Sequence, residues 1–495
     1  MKFLEKYRLI IAGALFFGLT IPLAFILNIR QDEAYSLHTT SQGLVFAFKQ
    51  AVNFEMQPPA YFMLLSAWRF IEDSIFWARL FSIISVFLSV VIIDRLLEGK
   101  VNNRLFLLLF LALHPVSVWA ALEIRVYAFT ILTTSAYLYF FIKHLEPNPP
   151  SIRLRIIHIL LIIAGLFSYY YFGFVLAGAG LYILFVKRKM LLRYVLDMAL
   201  PGLILLLSAG KIFYKIEGHS GIGTIVDFSF LNLFNYWLID FFDLFFVPVF
   251  FLGPNTVLNL LARGLFLLFM LFFLASTKPK ITFFLSNPIF YVSVVFVAFF
   301  SLIKFNLGSI YASHPHATLS LIPFLLTLIF LVEPLKKKLM INSFFAGLLI
   351  ISLISHFNVY QKPYKNYDVK ALNVYLKTVP EEIPALIYTN ETHEVLKYYI
   401  KDERIFIPLP KKITFQEYKL SDWVITNRDT LHVLVQQKIR NFEGKYFLYV
   451  SDNKQFIEHL SVDHQKLVKD YFLDTFTLID STHTGGFSVF KFSLN

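Results

Sequence analysis

Apolar runs close to bilayer length recur along the first three quarters of the chain, separated by short polar stretches. The first, from Tyr7 to Asn28, matches the ~20 residues that cross a hydrocarbon core. Others fall near 75–97, 104–122, 125–143, 156–171, 172–187, 193–213, 258–276, 288–305, 308–332 and 339–357, which predicts eleven membrane helices. Two further runs, 58–71 and 230–252, either lie in the interface or raise the number to thirteen. Near Asn358 the pattern changes. Short β-like runs ("PALIYT", "DWVIT", "KYFLYV") alternate with helical ones ("THEVLKYYI", "NKQFIEHL"), as in a small α/β domain. The predicted architecture is an α-helical polytopic membrane protein. Residues 1–357 form a bundle of about 11–13 transmembrane helices with an external loop at 29–57, and 358–495 form a small C-terminal extracytoplasmic α/β domain.

Composition supports the membrane reading. The chain is 57% hydrophobic and 16% charged, holds 57 Phe, and has a mean hydropathy of +0.63, more apolar surface than a soluble interior accommodates. A net charge of +12 would suggest nucleic acid in a soluble protein. Here the cations sit between apolar runs, so they read as topology signals and no nucleic acid is expected. One alternating path places Lys2/Lys6/Arg8, Arg95/Lys100/Arg104, Lys143/Arg153/Arg155, Lys187/Arg188/Lys189/Arg193, Lys278/Lys280 and Lys336/Lys337/Lys338 on the cytoplasmic side. The first helix lacks a small-residue cleavage site and reads as retained. Cysteine is absent, which excludes disulfides, thiolate catalysis and Cys-ligated metals. No internal repeat, P-loop or GxGxxG pattern occurs.

Four polar stretches fall on the side opposite those cations or at span ends. "NIRQDEAYS" sets Asp32 and Glu33 side by side at the mouth of the first helix, followed by Tyr35. "MQPPAYFM" carries Pro58, Pro59 and Tyr61, "FWARLFS" opens a span with Arg79, and "ALEIRVY" puts Glu123, Arg125 and Tyr127 at a turn. Charge at a bilayer is expensive, so these residues either solvate helix ends or carry chemistry.

In this order the four stretches resemble the polyprenyl-phosphate-dependent membrane glycosyltransferases of the protein O-mannosyltransferase and aminoarabinose-transferase type, glycosyltransferase family 39 of the GT-C superfamily. The resemblance is specific over roughly 28–145 and diffuse beyond. It implies an enzyme of a bacterial inner membrane, and direct displacement, with no second carboxylate placed to form a covalent sugar intermediate, would make it inverting. Such an enzyme moves a single sugar from a polyprenyl-phosphate donor to a lipid, glycan or protein acceptor at the external face. Such a transfer needs a base for the acceptor hydroxyl and a cation for the departing phosphate. The resemblance assigns the base to Asp32 and gives Glu33 a substrate-binding or loop-orienting role. Arg79 and Arg125 are the candidate phosphate ligands, because a guanidinium offers planar, bidentate, charged bonds. Their alternatives are an interfacial snorkelling role for Arg79 and an ion pair with Glu123 for Arg125. Tyr35, Tyr61, Glu123 and Tyr127 are expected to line the substrate site.

Two departures stand out. Where relatives open a late span with an arginine, this chain has "IYASHPHATLSLIP", so His314 and His316 take the place as candidate donor-phosphate ligands, able to bind only when protonated or through a metal, or as ordinary interfacial residues. In "YKIEGHSGIG", Glu217 and His219 are candidate ligands for a divalent cation. No nucleotide cofactor is expected. Tyr169, Tyr170 and Tyr171 read as an aromatic belt. The rival readings are a transporter or flippase of lipid-linked sugars, a polymerase or ligase moving a whole glycan, and a non-catalytic scaffold. A transporter would be expected to carry mid-span charge and repeated halves.

Overall fold

The structure is a computed structural model. It describes residues 2–101, 104–146, 151–219, 229, 264, 268, 271, 275, 281–307, 314–332, 338–360, 368–400, 406–416, 424–440, 442, 444–452 and 463–494. Helices α1 to α6 span Lys2–Lys6, Arg8–Ile26, Gln31–Thr39, Leu44–Gln50, Ala60–Arg69 and Ile75–Leu96. Helices α7 to α12 span Leu105–Ala112, Pro115–Leu122, Tyr127–His144, Ile152–Leu166, Phe172–Val186 and Leu191–His219. Helices α13 to α16 span Ile281–Ser286, Pro288–Leu307, Leu321–Val332 and Lys338–Val359, and α17 to α20 span Val369–Leu376, Asn390–Leu396, Arg428–Ile439 and His464–Thr475. The chain divides into two compact units. One holds Met1–Phe25, Thr40–Val52 and Met56–Gln361; the other holds Ile26–Thr39, Asn53–Glu55 and Lys362–Asn495. The tail unit therefore includes the acidic stretch that a boundary at 357/358 assigns to the bundle.

In the first unit, α6 packs on α8 and α9, α10 on α9 and α12, α11 on α14, and α16 on α7. Two helices, α2 and α6, are long and apolar enough to cross a membrane, and the bent pair α7–α8 makes a third among the described residues. The expected straight span at 104–122 is instead broken by 44°. Pro115 has no N–H to give and forces the preceding residue out of helical backbone, so His114 turns extended and caps α8, its Nδ1 accepting from the Val116 N–H at 3.2 Å. The expected run at 230–252, and most of 258–276, lie outside the described residues.

Charge pairing fixes the direction of α2 against α6. At one end Arg8 grips Asp94 with two bonds of 2.7 and 2.8 Å, and Arg104 joins at 3.0 Å. There Glu5 also accepts the Arg104 and Leu105 N–H groups, filling the orphan donors at the start of α7. At the other end Arg79 Nη1 donates to the Ala24 carbonyl, 2.9 Å away, so the two helices run antiparallel. Close approach elsewhere depends on small residues. A Cβ at Gly178 of α11 would sit 2.4 Å from Val292 Cα of α14.

The second unit is a five-stranded mixed sheet, with β1 Ala385–Tyr388, β2 Phe406–Pro408, β3 Tyr446–Asp452, β4 Thr477–Thr484 and β5 Phe487–Ser493 in the order β2-β1-β3-β5-β4. Strands β2, β1 and β3 are parallel, and the β4–β5 hairpin adds antiparallel. Its turn is Gly485-Gly486, both at positive φ, the conformation that a two-residue hairpin needs. Tyr388, Leu431, Phe447, Tyr449, Phe472 and Phe492 form the core. Of the expected strands, "PALIYT" and "KYFLYV" become β1 and β3. In "DWVIT", Val424 and Ile425 are buried but outside any strand, while 421–423, like the expected helix "NKQFIEHL", lie outside the described residues.

Candidate functional site

In the first unit, the candidates Arg79, Glu123, Arg125 and Tyr127 lie on α6 and at the junction of α8 and α9. Helix α6 starts at an N-cap, Ser74, whose Oγ accepts from the Trp77 N–H, and its first turns carry Arg79 and Ser82. Helix α8 stops at Glu123, which is extended, and α9 starts at Tyr127, so Glu123 to Val126 form a short buried turn. Ser82 Oγ donates to the Glu123 carbonyl at 2.8 Å and ties that turn to α6. Arg79 is 0% exposed, and Glu123, Arg125 and Tyr127 are buried as well. The Arg79 head therefore faces neither water nor lipid.

Aromatic residues close the arrangement. Tyr61, buried on α5, packs against Phe81 and Phe129 at centroid distances of 6.1 and 6.4 Å, and Tyr127 stacks on Trp119 at 4.9 Å. The Ala60 N–H donates to the Phe167 carbonyl at 2.7 Å, which brings the α10–α11 junction to the start of α5. From that junction Tyr169 contacts His316 through its hydroxyl and Nδ1, and it lies within electrostatic reach of Arg125, Tyr127 and Tyr171. Arg79, Glu123 and Arg125 are thus each buried on elements that the Ser82–Glu123 bond ties together, with Tyr169 in reach of Arg125. In a low-dielectric interior such a set favours an anion.

The acidic pair sits in the second unit, on α3. Glu33 is the third residue of the helix and wholly buried; its Oε2 accepts the Arg30 N–H at 2.9 Å. That is one half of a capping box, which satisfies an orphan donor at the helix start. Asp32, one residue earlier, is exposed. Neighbours on a helix diverge by about 100°, so a structural cap and a solvent-facing acid follow each other without conflict.

The rest of α3 docks on the tail of the chain. Tyr35 Oη donates to Glu391 Oε1 at 3.0 Å, and the Ile29 N–H donates to Tyr399 Oη at 2.7 Å. The Tyr35 ring packs edge-on to Phe54 and Phe415, and His38 stacks on Phe415 with centroids 3.6 Å apart. Burial holds the His38 imidazole below its ordinary value, against the pull of Glu394. Burial also works to raise the Glu394 carboxyl, but bonds from His393 and from Lys397, 2.5 Å away, outweigh it and hold the group below the usual range.

No candidate site residue of the sequence falls in the tail, yet α18 buries Asn390, Glu391, Thr392, His393 and Glu394. It follows β1 directly, at the carboxyl ends of the parallel strands, where open α/β sheets place their sites. At the end of β3, Asp452 accepts from Thr392 Oγ1 at 2.5 Å and from Gln465 Nε2 at 3.1 Å. The signal was the polar run "NETHE" immediately after an apolar strand. Tyr169 was likewise missed as a site residue, having been read as interfacial belt. The structure places Asp32, Glu33 and Tyr35 in the second unit, and Tyr61, Arg79, Glu123, Arg125, Tyr127 and His316 in the first. The side chains of Glu217, His219 and His314 lie outside the described residues.

No family model matches the chain, and no curated protein matches it in sequence. Among solved structures it is similar to ArnT from Cupriavidus metallidurans in the apo state, at 14% identity and TM-score 0.47, and to the same protein bound to undecaprenyl phosphate, at 13% and 0.43. Each likeness covers 97% of both chains. With identity this low and TM-scores under 0.5, fold and function rest on the chain's own residues.

Proposed function

We propose that the protein is an inverting membrane glycosyltransferase that takes a single sugar from a polyprenyl-phosphate donor at the external membrane face. The observation that carries this reading is the 2.8 Å bond from Ser82 Oγ to the Glu123 carbonyl, which ties α6, with its buried Arg79, to the turn that carries the buried Arg125. A phosphate ester is the anion that such a pair, set among apolar helices, would hold.

In the reaction the acceptor oxygen attacks the anomeric carbon, and the bond from that carbon to the phosphate oxygen breaks. The lipid phosphate leaves with the electron pair, and its developing charge falls to Arg79 and Arg125. Asp32 takes the acceptor proton, a contribution of about 10²–10⁴-fold. Its exposure, against the burial of Glu33 as a helix cap, supports assigning the proton transfer to the first acid of the pair. A single displacement inverts the sugar. The test is mass spectrometry of surface lipids and glycans from cells carrying the intact protein, Asp32→Asn at equal expression, or a deletion. The substituted protein is expected to lose the same glycosylated product as the deletion; full restoration by Asp32→Asn overturns the assignment.

A further inference from the structure

A second polar cluster lies at the far end of α9, about 25 Å from Tyr127 at 1.5 Å rise per residue. It is made by His144 at the end of α9, His158 in the second turn of α10, and Asp197 in the second turn of α12. All three are almost completely buried, at 4%, 2% and 2% exposure. One ligating atom from each lies within 4.8 Å of the others. These residues play no part in the proposed transfer.

The ring nitrogens are left open to a ligand. His144 Nδ1 bonds the Phe140 carbonyl at 2.8 Å, which makes it the donor and leaves Nε2 with a bare lone pair. That Nε2 has no partner, and neither nitrogen of His158 has one. Three buried, unsatisfied ring nitrogens are costly to leave so. A backbone carbonyl that fixes the tautomer of a ligating histidine is the usual outer support of a metal site. Asp197 is held the same way: Arg155 Nε donates to Oδ1 at 2.6 Å, and Oδ2 faces His158 Nδ1 at 3.9 Å, too far for a hydrogen bond. Tyr137 stacks flat on His158 at 5.3 Å and sets the ring plane.

We infer that His144, His158 and Asp197 bind a divalent cation of the zinc class, with water as fourth ligand. Two imidazoles and a carboxylate are a zinc donor set, and zinc bound to nitrogen at about 2.0–2.1 Å would put tetrahedral ligands about 3.3 Å apart. Closing from 4.8 Å takes side-chain movement of at most about 1.5 Å. The adjoining cavity is about one water in size, and Arg193, which lines it, has a buried Nε without a partner. A metal-bound water or hydroxide supplies the acceptor that this Nε lacks. The ion would tie the ends of α9, α10 and α12 together, at the end of the bundle rich in Lys and Arg.

The test uses the full-length protein, purified in detergent without chelating resin, dialysed against zinc and then against buffer. About one tightly held zinc per chain is expected, and its X-ray absorption is expected to show two imidazole nitrogens with oxygen in the remaining shell. His158→Gln and Asp197→Asn are expected to lose that zinc, and Arg155→Gln to weaken it 10–100-fold. A Glu217→Gln/His219→Gln variant is expected to keep it. The inference is overturned if monodisperse intact protein holds no zinc, if absorption shows fewer than two imidazoles, or if the Glu217/His219 variant alone loses the metal. It is equally overturned if inorganic phosphate, and not zinc, raises the thermal midpoint, since that would mark an anion pocket built on Arg193. The absorption spectrum of the intact protein decides the matter even where a substituted chain fails to fold.

Discussion

Replacing Tyr35 with Phe removes one oxygen and nothing else, and the structure says what that oxygen does. It donates to a buried glutamate carboxyl 3.0 Å away and so holds the helix that carries Asp32. A hydrogen bond to a charged group contributes about 1.5–3 kcal/mol, and deleting the donor also deprives a buried acceptor. The docked state of α3 should therefore weaken by roughly 10–150-fold relative to its locally open state. Amide hydrogen exchange on the full-length protein in detergent reads this directly. Amides of 31–39 are expected to exchange at least about 10-fold faster in Tyr35→Phe, with those of α6 unchanged, because local opening and global unfolding are separate events. A cycle with Glu391→Leu isolates the pair: in that background Tyr35→Phe should add little, a coupling of about 1 kcal/mol or more. Exchange within twofold of the parent, or simple additivity of the two substitutions, refutes the reasoning.

Three further outcomes follow from the geometry. The His38 imidazole is depressed below 6.5 by burial, so the unfolded chain takes up its proton first. Stability from this group is complete above about pH 6.5 and falls progressively as pH drops below that value, and exchange of the α3 amides measured from pH 7.5 to 5 should show protection declining over that window. Gly178→Ala would drive a methyl to within 2.4 Å of Val292 Cα and should cost about 1–3 kcal/mol or more, seen as a lower thermal midpoint in detergent; an unchanged midpoint would mean that α11 and α14 do not meet there. Ser82→Ala removes the buried bond to the Glu123 carbonyl, should cost about 0.5–1.5 kcal/mol by the same measurement, and should lower output of the proposed transfer more than Ser85→Ala, whose hydroxyl bonds only within its own helix.

The helices were legible because their information is local. The run at 75–97 became α6 at Ile75–Leu96, and 125–143 became α9 at Tyr127–His144, within the usual error at helix ends. The break at Pro115 was also written locally, but an uninterrupted apolar run hid it. Among the site residues, Arg79 and Arg125 stood out as charges inside apolar stretches. Glu391 and His393 did not, because a polar residue in a small α/β domain looks ordinary until its burial is known. The α3 contacts could not be read at all, since no local pattern in "QDEAYSLHT" points to residues near the other end of the chain.

That last separation sets a clock. Tyr35 and Glu391 are 356 residues apart, and at 5–20 residues per second a ribosome needs roughly 20–70 s to make the second after the first. A nine-residue helix is too short to persist alone in water, so through that interval "QDEAYSLHT" has nothing to hold it in shape. The acidic motif is translated long before the segment that orders it. A nascent chain that already has most of its helices therefore still lacks the support for its proposed base, and a ribosome stalled before residue 391 would leave a protein that is inserted but inert.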